Sequence, residues 1–323
     1  MNAARLAVAA CCLVAVSSMA VAQQSKLPKI GVISLDFPDN PSCVDRVRHG
    51  LEGLGYVEGR THVLELRWAK DRLDLIPSLS ADLVRLNVDV IVSASAPAAA
   101  AVKEATTSIP IVLASSFYPV EAGIIKSLAH PGGNVTGVTH FTPELRAKRV
   151  QLVRELLPKA TRLAVLRAPG RLQDLVVKDM EIAARGLGAK LQAIEVRSAE
   201  DLSAAFDTAV NGRAQALMST QGPFFWRLRA EIAQLALKHR LPTLSGEPTA
   251  AEAGALLFYG PDVMEGCERA AKYVDRILKG VKPADLPVEQ PTKIDLVINV
   301  KTAKALGVRV PQSLLLRADR IVE

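Results

Sequence analysis

Two short polar runs carry side chains able to do chemistry, Ser93-Ala94-Ser95-Ala96 and Ser115-Ser116-Phe117-Tyr118. Each follows an apolar run, Val88–Val92 and Ile109–Leu113 respectively. Apolar runs without alternation read as central strands of a parallel sheet, covered on both faces. Pro97 then opens an alanine-rich stretch to Thr107, and proline suits the first helical turn, where its missing N–H would have no partner. Ser93 and Ser95 therefore fall between the carboxyl end of a strand and the start of a helix. Free backbone N–H groups and the positive end of the helix dipole meet there, a setting that holds a carboxylate. The chemistry in view is reversible capture of a small molecule, with Tyr118 and Phe37 as an aromatic wall. Ordinary roles compete with it: Ser95 as a helix cap, and both rings as core.

A second set of candidates repeats the pattern. Asp36 follows the run Lys29–Leu35, Arg167 ends Arg162–Arg167, Thr220 and Gln221 follow Ala214–Ser219, Glu247 follows Pro242–Ser245, and Tyr259 closes Leu256–Tyr259. All sit at carboxyl ends of predicted strands, where open α/β sheets gather ligands. Arg167 could grip a carboxylate with its two-pronged guanidinium. Glu247 reads equally as an ordinary loop charge, and Asp262 as the cap of a helix starting at Val263.

Catalytic signatures are lacking. There is no phosphate-binding loop, no dinucleotide glycine fingerprint and no Gly-x-Ser-x-Gly elbow. Histidines 49, 62, 130, 140 and 239 have no metal-ligand spacing, so neither a cofactor nor a metal is expected. Asn134-Val135-Thr136 matches a glycosylation sequon but reads more simply as a backbone-shaping turn.

The elements that must position these residues follow a plan stated twice. Strands at 29–35, 62–68, 88–92, 109–113 and 134–139 alternate with helices at 44–54, 71–87, 97–107 and 120–129. Strands at 162–167, 190–196, 214–219, 242–245 and 256–259 alternate with helices at 172–187, 199–211 and 225–240. A helix at 264–279, a strand at 293–300 and a short helix at 301–306 complete the chain. Alternating strands and helices in two sets predict two doubly wound parallel-sheet lobes. The added helix and strand suggest that the chain crosses back to complete both lobes, which makes a hinge.

Composition narrows the setting. The chain has 323 residues, 49% of them hydrophobic and only 4% aromatic, with a net charge of +7. The basic residues are scattered along helix faces, so no nucleic-acid partner is expected. Residues 1–22 read as a cleaved secretory signal: Arg5, an apolar run from Leu6 to Val16, then Ala20-Val21-Ala22. That places the protein in the periplasm. Cys43 and Cys267 remain after cleavage, either as one disulfide or as two separate buried thiols.

Several longer stretches resemble one family. They are Gly50 to Gly59 (GLEGLGYVEG), Val88 to Val92, Ser108 to Val112, Leu128 to Gly137 (LAHPGGNVTG), His239 to Pro242 and Tyr259 to Asp262. The most specific is Ala284 to Lys293 (ADLPVEQPTK), running into Leu296-Val-Ile-Asn299. The chain resembles the ABC transporter substrate-binding family that includes tryptophan-binding lipoproteins, of the type I periplasmic-binding-protein fold. The resemblance implies two lobes joined by three crossovers, with residues 28–141 plus 263–283 in one and 142–262 plus 284–323 in the other. It implies a protein that encloses a small molecule and delivers it to an ABC permease without catalysis, and it does not name the ligand; the expected ligand is an amino acid or carboxylate-bearing compound, and the expected state a monomer. A sensory binding protein presenting its ligand to a receptor, or a periplasmic enzyme on the same fold, are the alternatives. Two departures bear on the ligand. Relatives usually carry Asp-Pro-Val where this chain has Tyr118-Pro119-Val120, and end near Asn-Pro where it has Arg167-Ala168-Pro169. Together they favour an anionic ligand, docked on Ser95 and Ser116 and closed over by Arg167 and Gln221.

Overall fold

The computed structural model describes residues 27–38, 43–140, 143–247 and 249–323. The expected signal segment lies outside them. The first sheet has the strand order β2-β1-β3-β4-β5, all parallel, from β1 (Lys29–Ser34), β2 (Val63–Trp68), β3 (Val90–Ser93), β4 (Ile111–Ser116) and β5 (Val135–Thr139). The central strands β3 and β4 are buried along their whole length, as their unbroken apolar runs require. Helices α1 (Cys43–Gly53), α2 (Ile76–Arg85) and α3 (Ala96–Ala105) connect the strands.

The second sheet repeats that order and extends it. β6 (Arg162–Arg167) lies between β7 (Lys190–Glu195) and β8 (Ala216–Ser219), followed by β9 (Thr243–Ser245) and β10 (Leu257–Gly260). Two more strands finish it: β11 (Asp295–Asn299), antiparallel to β10, and β12 (Arg320–Val322), parallel to β11. The sheet is thus mixed at one edge rather than wholly parallel. Its helices are α4 (Pro143–Leu156), α5 (Arg171–Gly186), α6 (Asp201–Asn211), α7 (Pro223–Arg227) and α8 (Arg229–Lys238). In each lobe the strand order reverses beside the first strand, between β1 and β3 and between β6 and β8. Such switch points open crevices at the strand carboxyl ends.

The chain passes between the sheets three times: after β5, at Gly260-Pro261-Asp262, and between Glu289 and β11. The second passage leads into α9 (Val263–Leu278), whose first turn is capped by Asp262 accepting from the Met264 N–H at 2.8 Å. Although α9 leaves the second sheet, its buried face of Cys267, Ala270, Ala271, Val274 and Ile277 joins the core of the first. It packs closely on α1 because Gly50 lacks a side chain. A Cβ there would lie 2.8 Å from Ala271 Cβ and overlap the Glu268 carbonyl. Cys43 and Cys267 form a disulfide across this contact, with Cα atoms 5.3 Å apart. The pairing that the sequence left open is therefore decided by the approach of α1 and α9.

Three expectations are corrected. Residues 120–129 form no helix. Ile124 and Ile125 both donate their N–H to the Pro119 carbonyl, and Gly123, at φ +69°, turns the chain after one loop. The segment from 225 to 240 is two helices, broken at Leu228 (φ −82°, ψ 1°). The segment from 284 to 289 was expected in the second lobe, yet it lies along the first sheet. Leu286 and Val288 are buried in that lobe's cores. Thr136 Oγ1 donates to the Leu286 carbonyl at 2.8 Å, and the Glu289 N–H to Gly137 O at 3.0 Å. The cause is the edge of β5, whose open backbone groups this segment satisfies. Beyond β11 the short helices α10 (Val300–Leu306) and α11 (Gln312–Leu315) lead to β12.

Candidate ligand-binding site

The carboxyl ends of the two sheets face each other across a cleft of about 560 Å³, its solvent-facing part included. The first lobe contributes Asp36, Ala94, Ser115 and Phe117, and the second contributes Gly222, Pro223, Trp226 and Glu247. Cys43, Cys267, Val263 and Met264 form a third wall where α1 meets the start of α9. The site is thus largely apolar and sulfur-lined, with one carboxylate from each lobe.

Asp36 is fixed by Ser34. Ser34 Oγ donates to Asp36 Oδ2 at 2.8 Å and accepts the Asp36 N–H at 3.1 Å. Glu247 is held by its own loop. Its Oε1 accepts the Gly222 N–H at 2.7 Å, and its N–H donates to Ser245 Oγ at 3.0 Å. Burial pushes its carboxyl up to about 7; the Gly222 N–H, Arg149 and Arg229 each pull it back down. A cationic group placed beside it would restore the ionised form.

The second-lobe loops converge on a buried guanidinium. Arg149 Nε donates to Tyr259 O at 2.7 Å, and Arg149 Nη1 donates to Gln221 Oε1. Gln221 Nε2 in turn donates to Gly246 O at 2.5 Å. Arg149 and Gln221 thereby tie together the loops after β8 and β9 and the end of β10. Gly246 is required, since a Cβ there would overlap both Gln221 and the Arg149 guanidinium. Burial lowers Arg149 to about 10, so it stays cationic at neutral pH. Trp226 is braced from behind by Arg229, whose Cζ lies 4.4 Å from the ring centroid.

Of the residues expected from sequence, Asp36 and Glu247 line the cleft. Gln221 and Tyr259 support it through the Arg149 clamp, Tyr259 by its carbonyl only. Thr220 is buried beside it, its N–H given to Leu166 O at 2.8 Å. Others take the ordinary roles. Ser95 caps α3, its Oγ accepting from the Ala98 N–H at 3.3 Å. Ser93 Oγ donates to Ser95 O at 2.9 Å, and Ala96 packs in the core under the first sheet. Ser116 is fully buried, and its carbonyl accepts from Thr139 Oγ1 at 3.1 Å. Phe37 is exposed, and the cleft wall is the neighbouring Phe117.

Tyr118 and Arg167 lie elsewhere than at the cleft wall. Tyr118, at φ +54°, turns into the second lobe's core, with Arg146 Cζ 4.4 Å from its ring centroid. Arg167 is engaged by Asp174 at 2.9 Å and Glu195 at 2.7 Å within its own lobe. The buried cation among the second-lobe loops is Arg149, which the sequence did not single out. Its spacing held a signal: Arg146, Arg149 and Val153 share one face of α4, and all three are buried.

The sequence profile of the ABC transporter substrate binding protein family matches residues 29–322. The chain belongs to this family. Its members bind solutes for ABC transport, and the two-sheet architecture is the type I periplasmic-binding-protein fold. A tyrosine-binding protein of Clostridioides difficile is 26% identical over 289 residues, 88% of this chain and 82% of the relative. A crystal structure of a conserved domain protein from Vibrio cholerae superposes with a TM-score of 0.84 at 26% identity, covering 92% of this chain and all of that one. A pneumococcal ABC domain solved in complex with L-Trp also gives 0.84, at 24% identity, with 92% of this chain and 100% of that chain covered. Among the described residues no helix is long and apolar enough to cross a membrane.

Proposed function

We propose that this member of the family is a monomeric periplasmic protein that closes its two lobes over a small aromatic amine-bearing solute, such as an aromatic amino acid, and delivers it to an ABC permease. The observation that carries the reading is the cleft itself, walled by Phe117 and Trp226 and carrying Asp36 from one lobe and Glu247 from the other. The rings bury an apolar body, and the carboxylates face an ammonium group. The tyrosine-binding relative and the L-Trp complex support the same class. The purely anionic ligand suggested by Arg167 finds no support, because that cation already has two acidic partners. Residues 28–38, 43–140 and 263–289 act as one rigid lobe, residues 143–247, 249–260 and 295–323 as the other, and the three crossovers absorb the closure. The protein acts by binding, not by catalysis.

The test is a melting scan of the chain lacking residues 1–22 against aromatic amino acids, aromatic acids without an amine, and dicarboxylates. A ligand at 100 times its Kd adds about 2.7 kcal/mol of stability. Stabilisation by L-tyrosine or L-tryptophan, with contraction in small-angle scattering, is expected. Stabilisation by amine-free carboxylates alone would overturn the ligand class. Indifference to the whole panel would remove the solute class.

A further inference from the structure

The disulfide is placed where a merely structural bridge need not be. Cys43 is the first residue of α1, and Cys267 lies in the second turn of α9. Both line the ligand cleft, next to Val263 and Met264 and across from Trp226. The same bridge lies just beyond Gly260-Pro261-Asp262, where the chain crosses from the second lobe to the first. It therefore touches the two parts of a closing protein that must be held in register, the ligand wall and a hinge strand. The remaining grip of α9 on the first lobe is apolar packing around Gly50 and Ala271, together with hydrogen bonds from Tyr56 Oη to Asp275 and from Tyr273 Oη to Pro287 O, each 3.0 Å, and these keep the helix docked when the bridge is gone.

We propose that the Cys43–Cys267 disulfide is a redox-sensitive wall of the ligand site, intact in the binding-competent protein and shielded by bound ligand. The inference rests on the cleft being the solute site. The chemistry is thiol–disulfide exchange with a small thiol. A reductant thiolate attacks one sulfur, forms a mixed disulfide and expels the other cysteine as thiolate. A second reductant thiol then displaces the first cysteine, leaving two cysteine thiols and one oxidised reductant disulfide. Cys267 has no exposed surface and Cys43 has 4%, so a reagent must come to Cys43, and the cleft both cysteines line is the approach. Polarisable sulfur beside an aromatic ring is a favourable contact, which gives the bridge a direct part in holding an aromatic ligand.

Two measurements test this on the full mature chain. The first is calorimetric titration with L-tyrosine and L-tryptophan of the oxidised protein, the dithiothreitol-reduced protein and Cys43→Ser/Cys267→Ser, each well below its melting transition. A loss of affinity of about tenfold or more on reduction is expected, the equivalent of about 1.4 kcal/mol. Affinity unchanged within a factor of two, with both thiols shown free by alkylation, overturns the proposal. The second needs no ligand: the rate of bridge reduction, followed by alkylation and mass, is compared with the rate of global unfolding in the wild type and in Trp226→Ala. Reduction faster than unfolding, and faster still when the opposite wall is cut back, is expected. Reduction that merely tracks unfolding makes the bridge a core staple and overturns the proposal. If neither amino acid binds the oxidised protein, the solute class fails, and the second measurement still decides the disulfide.

Discussion

Glu247→Gln is expected to make the empty protein more stable above neutral pH while abolishing capture of an amine. The side chain is 4% exposed, and burial raises its carboxyl from 4.5 to about 7. The folded state therefore binds a proton more tightly than the unfolded chain does, and stability falls as pH rises through that window. Below about pH 4.5 the group is protonated in both states and contributes nothing to the slope; above about pH 7 the full penalty of a buried carboxylate applies. Between about pH 5 and about pH 8 the wild type should lose roughly 2 to 3 kcal/mol relative to the glutamine variant. Glutamine keeps an acceptor for the Gly222 N–H, so the loop geometry should survive. His140 works in the opposite sense. Burial lowers it to about 4, so its contribution to stability grows with pH until about 6.5. The wild-type profile alone thus blends two opposing slopes, and the difference between variant and wild type isolates Glu247. The assay is urea unfolding of both proteins at the two pH values, paired with calorimetric titration of an aromatic amino acid. Parallel pH profiles in the two proteins would refute the reasoning, as would full amine affinity in the variant.

Three further outcomes follow from named contacts. Arg149→Leu should destabilise the protein by about 1–3 kcal/mol in a urea melt, because the Tyr259 carbonyl and Gln221 Oε1 stay buried without their donor. It should weaken ligand binding by about 1.5–3 kcal/mol through loss of the clamp, read by titration, and should shift the pH dependence of capture upward, since Arg149 helps keep Glu247 ionised. Arg167→Ala should leave ligand affinity unaltered and cost about 0–1 kcal/mol in a chemical melt, as its ion pairs are solvent-facing. Asp71→Asn breaks an ion pair to Arg227 that links a first-lobe loop to α7 of the second lobe. With both side chains a quarter to a third exposed, the change should weaken closure by only about 0.5–1 kcal/mol. It should be read as a two- to fivefold loss of affinity, with a larger radius of gyration in scattering at fixed ligand.

Local pattern made much of the framework legible. The unbroken apolar runs of β3 and β4 placed the central strands. Pro97 after Ser95 placed the start of α3, and Asp262 before Val263 placed the start of α9. Asn134 was read as a turn-shaping residue, and its Nδ2 donates to the carbonyls of Thr106 at 3.1 Å and Ile109 at 2.7 Å. The stretch 120–129 misled because Ile124, Ile125 and Leu128 mimic a helical face, while Pro119 and Gly123 turn the backbone instead. The tail from 300 to 323 was underread, since a three-residue strand such as β12 has too little periodicity to show.

The sequence by itself determined the two-lobed α/β plan, the family, and which loops stand at the strand ends. Those depend on the spacing of apolar residues and on turn chemistry, both written in neighbouring positions. Tertiary structure alone decided which side chains those loops present. Tyr118 and Arg167 stand at strand ends like Asp36 and Glu247, yet one ring turns into a core and one guanidinium meets Asp174 and Glu195. Arg149 belongs to a helix far from any strand end, and it becomes the centre of the second-lobe site only when three loops fold over it. Cys43 and Cys267 are separated by 224 residues, and only the packing of α9 against α1 brings them together at the cleft. Side-chain direction at a strand end is set by what packs against it from elsewhere in the chain, and that information is not local.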